Sequence, residues 1–145
     1  MGQAETDLQD HHHRKGSRLI DIQNTYFQDK VITAFIFFPD TFPQKPPIVV
    51  FEDVKVNGTY ETYQHVNVFS SGQLCQAIMK SAFKQTIHIK DFLLTIEDTL
   101  YNPNPGDPAN GKLANLSRTN KTEYDNVIRR QAEHLPWVEV EEDDD

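Results

Sequence analysis

One cysteine in 145 residues excludes an internal disulfide and a thiolate metal cluster. No apolar run approaches the roughly 18 residues of a membrane span. The opening stretch from Met1 to Asp10 is too polar and acidic for a secretory signal. Positive charge is scarce: 14 Lys plus Arg stand against 22 Asp plus Glu, a net charge of −8. That balance argues against tracking a nucleic-acid backbone by bulk electrostatics. A Gly-rich phosphate-cradling loop is also lacking, so no nucleotide is expected on the chain. The length suits one compact domain, expected in the cytoplasm or nucleus, with no membrane or nucleic-acid partner.

What is present is aromatic. Nine Phe and five Tyr build a core although only 37% of residues are hydrophobic. Charge is uneven, since the seven residues from Glu139 to Asp145 include six acids. Such a tail is solvated or meets a basic partner. The lone Cys75 is a buried apolar filler or a nucleophile. His11-His12-His13 lie in a polar stretch beside Arg14-Lys15. They sit on no rigid element and face different ways, so no metal site is expected.

Three zones follow: a polar segment over residues 1–23, a domain over 24–136, and an acidic tail over 137–145. From Val31 to Phe38 every residue but Thr33 is apolar, which predicts a buried strand. Pro39, Pro43, Pro46 and Pro47 impose an extended connection before a second strand from Ile48 to Phe51. Asn57-Gly58 signals a turn, and the polar stretch up to Gln64 reads as a surface loop. Ile89, Phe92, Leu93, Ile96 and Leu100 share one helical face. That helix must stop before Pro103, Pro105 and Pro108. Asn120 with Glu123 predicts the capped start of a last helix, which carries Tyr124, Val127, Ile128, Gln131 and Leu135 on one face. Pro136 ends it. Strands first and helices last predict an α+β fold, an antiparallel sheet packed against helices.

The informative stretch is His65-Val66-Asn67, followed by a Ser71-Gly72 turn and by Cys75. A thiol on an irregular loop beside an amide side chain suits thioester chemistry. The amide donates to the developing oxyanion without bringing a charge. His65 with Cys75 also raises a cysteine protease, but the sequence pattern expected around such a cysteine is missing.

In order and spacing, from about Thr25 to Leu135, the chain resembles the ubiquitin-conjugating enzymes. Thr25-Tyr26 and the run from Val31 to Phe38 resemble the family's edge turn and third-strand approach. Phe38-Pro39-Asp40-Thr41-Phe42-Pro43-Gln44-Lys45-Pro46-Pro47 resembles its aromatic-Pro loop. His65-Val66-Asn67 stands where the family has His-Pro-Asn, and Ser71-Gly72-Gln73-Leu74-Cys75 is similar to the nucleophile segment. Pro103-Asn104-Pro105-Gly106-Asp107-Pro108-Ala109-Asn110 is similar to the Pro-rich turn before the third helix.

The resemblance implies that Cys75 carries ubiquitin or a ubiquitin-like modifier as a thioester and passes it to lysine amines. It implies that Asn67 steadies the oxyanion, that His65 holds the loop, and that Asp107 orients or deprotonates the incoming lysine. The alternative for Asp107 is a turn-stabilising Asp before Pro. Implied partners are the modifier, an activating enzyme that uses the ATP, a ligase and protein substrates. The ligase surface would include Phe42, Gln44, Pro46, Phe83 and Lys84. No cofactor or metal is implied.

Departures from the family pattern matter as much. Val66 replaces a Pro, which should loosen the backbone ahead of Asn67. Gln76-Ala77 replaces the usual Leu-Asp. Phe83-Lys84-Gln85 replaces Trp-Ser-Pro, and Gln44 stands at an aromatic position. About eight extra residues lie between Glu52 and Gln64. The residues before Tyr26 are too few for the family's first helix and all its early strands, so that helix is expected to be missing or altered. The stretches from His65 to Cys75 and Thr86 to Leu94 partly resemble SUMO-conjugating members, while the acidic tail resembles ubiquitin carriers with acidic extensions. Ubiquitin is the expected modifier. The alternative is a binding module of the same fold without transfer activity.

Overall fold

The computed structural model describes residues 2–7, 26–84 and 88–139, with backbone only at 2–7, 81 and 82. Expectations resting on His11-His12-His13, Arg14-Lys15, Thr25, Gln85, Thr86 and the acids beyond Glu139 lie outside these residues, as does most of the stretch relevant to the first helix.

Three antiparallel strands form the main sheet in the order β1 (Gly2–Asp7), β2 (Thr33–Phe38), β3 (Ile48–Phe51). The register sets Phe35 opposite Val50 and Phe37 opposite Ile48. Because side chains alternate along a strand, Ala34, Ile36, Val49 and Phe51 enter the core. Phe35 and Phe37 lie on the other face and keep partial exposure. The apolar run expected as a buried strand is therefore buried only at alternate positions. Nothing in the sequence pattern had placed an element before Val31, yet β1 pairs with β2 from Gly2 opposite Phe38 to Asp7 opposite Thr33.

The polar stretch up to Gln64, expected as a surface loop, supplies β5 (Thr59–Glu61), which forms a hairpin with β4 (Val54–Val56) across the Asn57-Gly58 turn. Asn57 and Gly58 take φ of 51° and 84°, the pair of left-handed residues that suits a tight two-residue turn. Val54 and Val56 turn inward, and Arg130 pairs with Glu61 at 3.0 Å to tie the hairpin to the last helix.

Four helices complete the described fold: α1 (Gln76–Ala82), α2 (Ile89–Tyr101), α3 (Gly111–Thr119) and α4 (Lys121–His134). Phe92, Ile96 and Leu100 give α2 its buried face, whereas Ile89 at its start is exposed. Asn110 caps α3 by accepting from the Leu113 N–H at 3.0 Å. Asn120 caps α4 by accepting from the Glu123 N–H at 3.2 Å, as its spacing predicts. Beyond α4 the chain returns to residues 29–31, where the Val31 N–H reaches the Pro136 carbonyl and the Val138 N–H reaches Asp29, both at 2.8 Å.

Candidate active site

Cys75 stands at the N-cap of α1, where an irregular segment turns into helix. Two sheet-like contacts fix that segment. The Leu74 N–H donates to the Val49 carbonyl at 2.8 Å, and the Phe51 N–H donates to the Gly72 carbonyl at 2.8 Å. Gly72 has φ of 88°, and a Cβ there would lie 2.7 Å from the Phe51 carbonyl oxygen. Only glycine fits this close backbone approach. Cys75 itself is nearly enclosed, with 9% of its surface exposed.

Asn67 meets Cys75 through the backbone: the Cys75 N–H donates to the Asn67 carbonyl at 2.8 Å. Its side chain is fully buried and fully used. Nδ2 donates to the carbonyls of Asn104 at 2.8 Å and Asp107 at 2.9 Å, and Oδ1 accepts from the Asn104 N–H at 2.8 Å. A primary amide has two hydrogens, so both are committed to the Pro-rich loop.

His65 is buried, with both ring nitrogens engaged. Nδ1 accepts from the Asn67 N–H at 3.0 Å, so Nε2 carries the proton and donates to the Thr99 carbonyl at 2.9 Å. Burial pushes its pKa down to about 4, against the opposing pull of the backbone carbonyls of Thr99 and Leu100. Tyr63 stacks on it with rings 15° from parallel. A neutral ring with no spare nitrogen holds the loop and takes no proton from Cys75.

Val66 was expected to loosen the approach to Asn67. Its carbonyl accepts from the N–H groups of Ala109 at 2.8 Å and Asn110 at 3.0 Å, which pins the backbone directly. Asp107 is exposed, with its carboxylate 3.4 Å from Asn104 Nδ2 and its carbonyl on Asn67. Asp107 thus reaches the site by its main chain, and its side chain faces solvent at the rim.

The expected ligase-side residues lie apart from this cluster. Phe42 packs edge-on to Phe38 at 5.0 Å and reaches Phe83 at 5.9 Å, and Phe83 meets Phe92 of the core at 5.9 Å. Gln44 and Lys84 are exposed, and Pro46 is half-buried.

Asn104 was not singled out from the sequence, although an Asn between two prolines is a strong turn signal. Its Oδ1 accepts from the Gly106 N–H at 2.9 Å, folding the loop that Asn67 then grips.

On this α+β frame the Cys75 segment docks on a sheet edge, and the Pro-rich loop beside it is held by Asn67. The family model for ubiquitin-conjugating enzymes matches residues 4–132, and the chain belongs to that family. Three similar proteins are each named ubiquitin-conjugating enzyme E2 2. The one from Mycosarcoma maydis is 30% identical over 84% of this chain and 65% of its own length. Those from Neurospora crassa and Fusarium solani are each 30% identical over 79% of this chain and 71% of their own. The chain thus spans about two thirds of the length of these relatives.

Proposed function

We propose that this chain carries ubiquitin as a thioester on Cys75 and passes it to lysine amines, after an activating enzyme and together with a ligase. One observation carries the reading. The main-chain N–H of Cys75, the chain's single cysteine, donates to the Asn67 carbonyl inside the matched family region. The relatives' names supply ubiquitin as the modifier.

Loading is an exchange of thioesters. The Cys75 thiolate attacks the carbonyl carbon of the modifier's thioester on the activating enzyme, and that enzyme's thiolate leaves. In transfer, a neutral lysine amine attacks the same carbon and the carbonyl oxygen becomes an oxyanion. The bond to Cys75 then breaks, the amine nitrogen loses its proton, and an amide remains. Asn67 is the donor for that oxyanion, and one of its N–H groups must turn from a loop carbonyl to serve. Asp107, at the rim, orients the amine and helps remove its proton.

The test is charging with activating enzyme, ATP and labelled modifier, resolved with and without reductant. A reductant-sensitive adduct is expected on the natural chain, a reductant-resistant oxyester on Cys75→Ser, and none on Cys75→Ala. A sensitive adduct on Cys75→Ala would overturn the assignment. A second reading, a binding module without transfer activity, draws on the 9% exposure of Cys75. No adduct with any modifier would establish it.

A further inference from the structure

Gln131 lies on α4, distant in sequence from the nucleophile, yet its side chain is 4% exposed. Both of its polar atoms serve a single residue. The Gln64 N–H donates to Gln131 Oε1, and Gln131 Nε2 donates to the Gln64 carbonyl at 3.2 Å. One side-chain amide thereby supplies the donor and acceptor that a neighbouring strand would offer. Gln64 immediately precedes His65-Val66-Asn67.

The contact continues toward the site. Gln64 Oε1 accepts from Asn110 Nδ2 at 3.2 Å, and the Asn110 N–H donates to the Val66 carbonyl at 3.0 Å. The segment is therefore gripped at Gln64 from α4 and at Val66 from the start of α3, with Asn67 next in the chain. Val66 has no ring to lock its φ, so the external grip supplies the rigidity that a proline would build in.

We propose that Gln131 is a positioning residue for lysine transfer: by fixing the Gln64 backbone it holds Asn67 in place relative to Cys75. The proposal rests on the thioester reading above. A Met of similar shape at 131 makes neither bond and leaves two backbone groups of Gln64 without these partners. A Glu keeps an acceptor for the Gln64 N–H but loses the donor to its carbonyl until the carboxyl is protonated.

The experiment compares the natural chain with Gln131→Met, Gln131→Glu and Ile128→Val. Ile128 is a buried residue of the same helix and controls for general loss of stability. Loading of the natural chain is read first, because its absence would refute the thioester reading itself. Hydrogen exchange at the Asn67 and Cys75 amides and single-turnover discharge to free lysine are then measured, with Tm alongside. Gln131→Met should exchange about tenfold faster at Asn67. It should discharge roughly 10- to 100-fold more slowly at saturating lysine, with the half-saturating lysine concentration unchanged. Ile128→Val should do neither.

Burial raises a carboxyl's pKa, so Gln131→Glu should recover protection at Asn67 as pH falls from about 8 to about 6. That recovery, corrected for intrinsic exchange, should exceed what the accompanying change in global stability, read as Tm at each pH, accounts for. A natural chain that loads, with Gln131→Met discharging normally, would overturn the proposal. So would equal losses in Ile128→Val, or no recovery of Gln131→Glu with pH.

Discussion

The side-chain amide of Asn67 brackets the backbone of Asn104. It accepts the Asn104 N–H and donates to the Asn104 carbonyl, both at 2.8 Å. With the further bond to Asp107, the residue expected to steady an oxyanion also anchors the loop at the rim of the site. The two duties predict different losses. Asn67→Ala should lower stability by about 2 kcal/mol, because it empties a fully buried position and removes three part-buried hydrogen bonds. It should slow lysine discharge by about 100- to 1000-fold, the usual cost of one oxyanion donor. Loading, an exchange between thioesters, should fall far less. Measuring loading and discharge separately, with Tm, separates the duties. If both steps fall together in proportion to stability, Asn67 only holds the loop.

His65 makes stability depend on pH. Its folded pKa is pushed down to about 4, mainly by burial, from an ordinary value near 6.5. Above about pH 6.5 the ring is neutral in both states and its contribution is complete. As pH falls, the unfolded chain takes up a proton that the folded chain refuses. Stability should therefore drop through the window between about 6.5 and 4, by about 3 kcal/mol in total, and this loss should level off below it. Urea unfolding across that range measures it. His65→Gln should flatten the acid limb at the cost of lower stability at neutral pH. An unchanged limb would mean that the carboxylates govern acid unfolding.

Some of this was legible in the chain and some was not, for physical reasons. The helix from Ile89 showed its period because thirteen residues span more than three turns. The Asn120 cap was readable because its partner Glu123 lies three residues away. The seven residues of α1 are too few to display a period. The hairpin strands are three residues each, so Val54 and Val56 gave only one alternation around a turn that Asn57-Gly58 did signal. Cys75, Asn67 and His65 stood out by their spacing. Asn104 and Gln131 did not, because their partners lie 37 and 67 residues away in the chain. A Gln on an otherwise apolar helix face was the available hint for the second.

The aromatic series Phe38, Phe42, Phe83, Phe92 bears on ligase choice. Phe42 and Phe83 are partly buried against one another, and Gln44 is among the exposed residues of the loop that carries Phe42. Buried aromatic anchors carry much of the energy of typical interfaces. The chain should therefore work weakly with general-purpose ligases, and Gln44→Phe together with Phe83→Trp should improve binding. Phe83→Ala should instead destabilise the fold by about 2 kcal/mol, since it empties the contact with Phe92. Affinity for a panel of ligase domains, measured beside Tm, checks both. Strong binding of the natural chain to many unrelated ligases would refute the surface reading.

Lys30 and Trp137 close the fold where the chain returns after α4. The Lys30 ammonium is buried, donates to the Leu135 carbonyl at 3.3 Å and lies 3.5 Å from the centre of the Trp137 ring. Burial lowers its pKa, with Glu133 pulling the other way. A desolvated cation gains from an aromatic face, by about 1 to 2 kcal/mol. Trp137→Ala should cost about that much, because the charge then keeps few partners. Lys30→Met removes the charge while retaining the stem that packs there, so it should cost less than breaking the contact from the Trp side. In the Lys30→Met background the cost of Trp137→Ala should shrink by about 1 kcal/mol. A double-mutant cycle in urea reads that difference directly. A coupling near zero would mean that the closure rests on the backbone bonds at Val31 and Val138, and that the ring contributes only the area it covers.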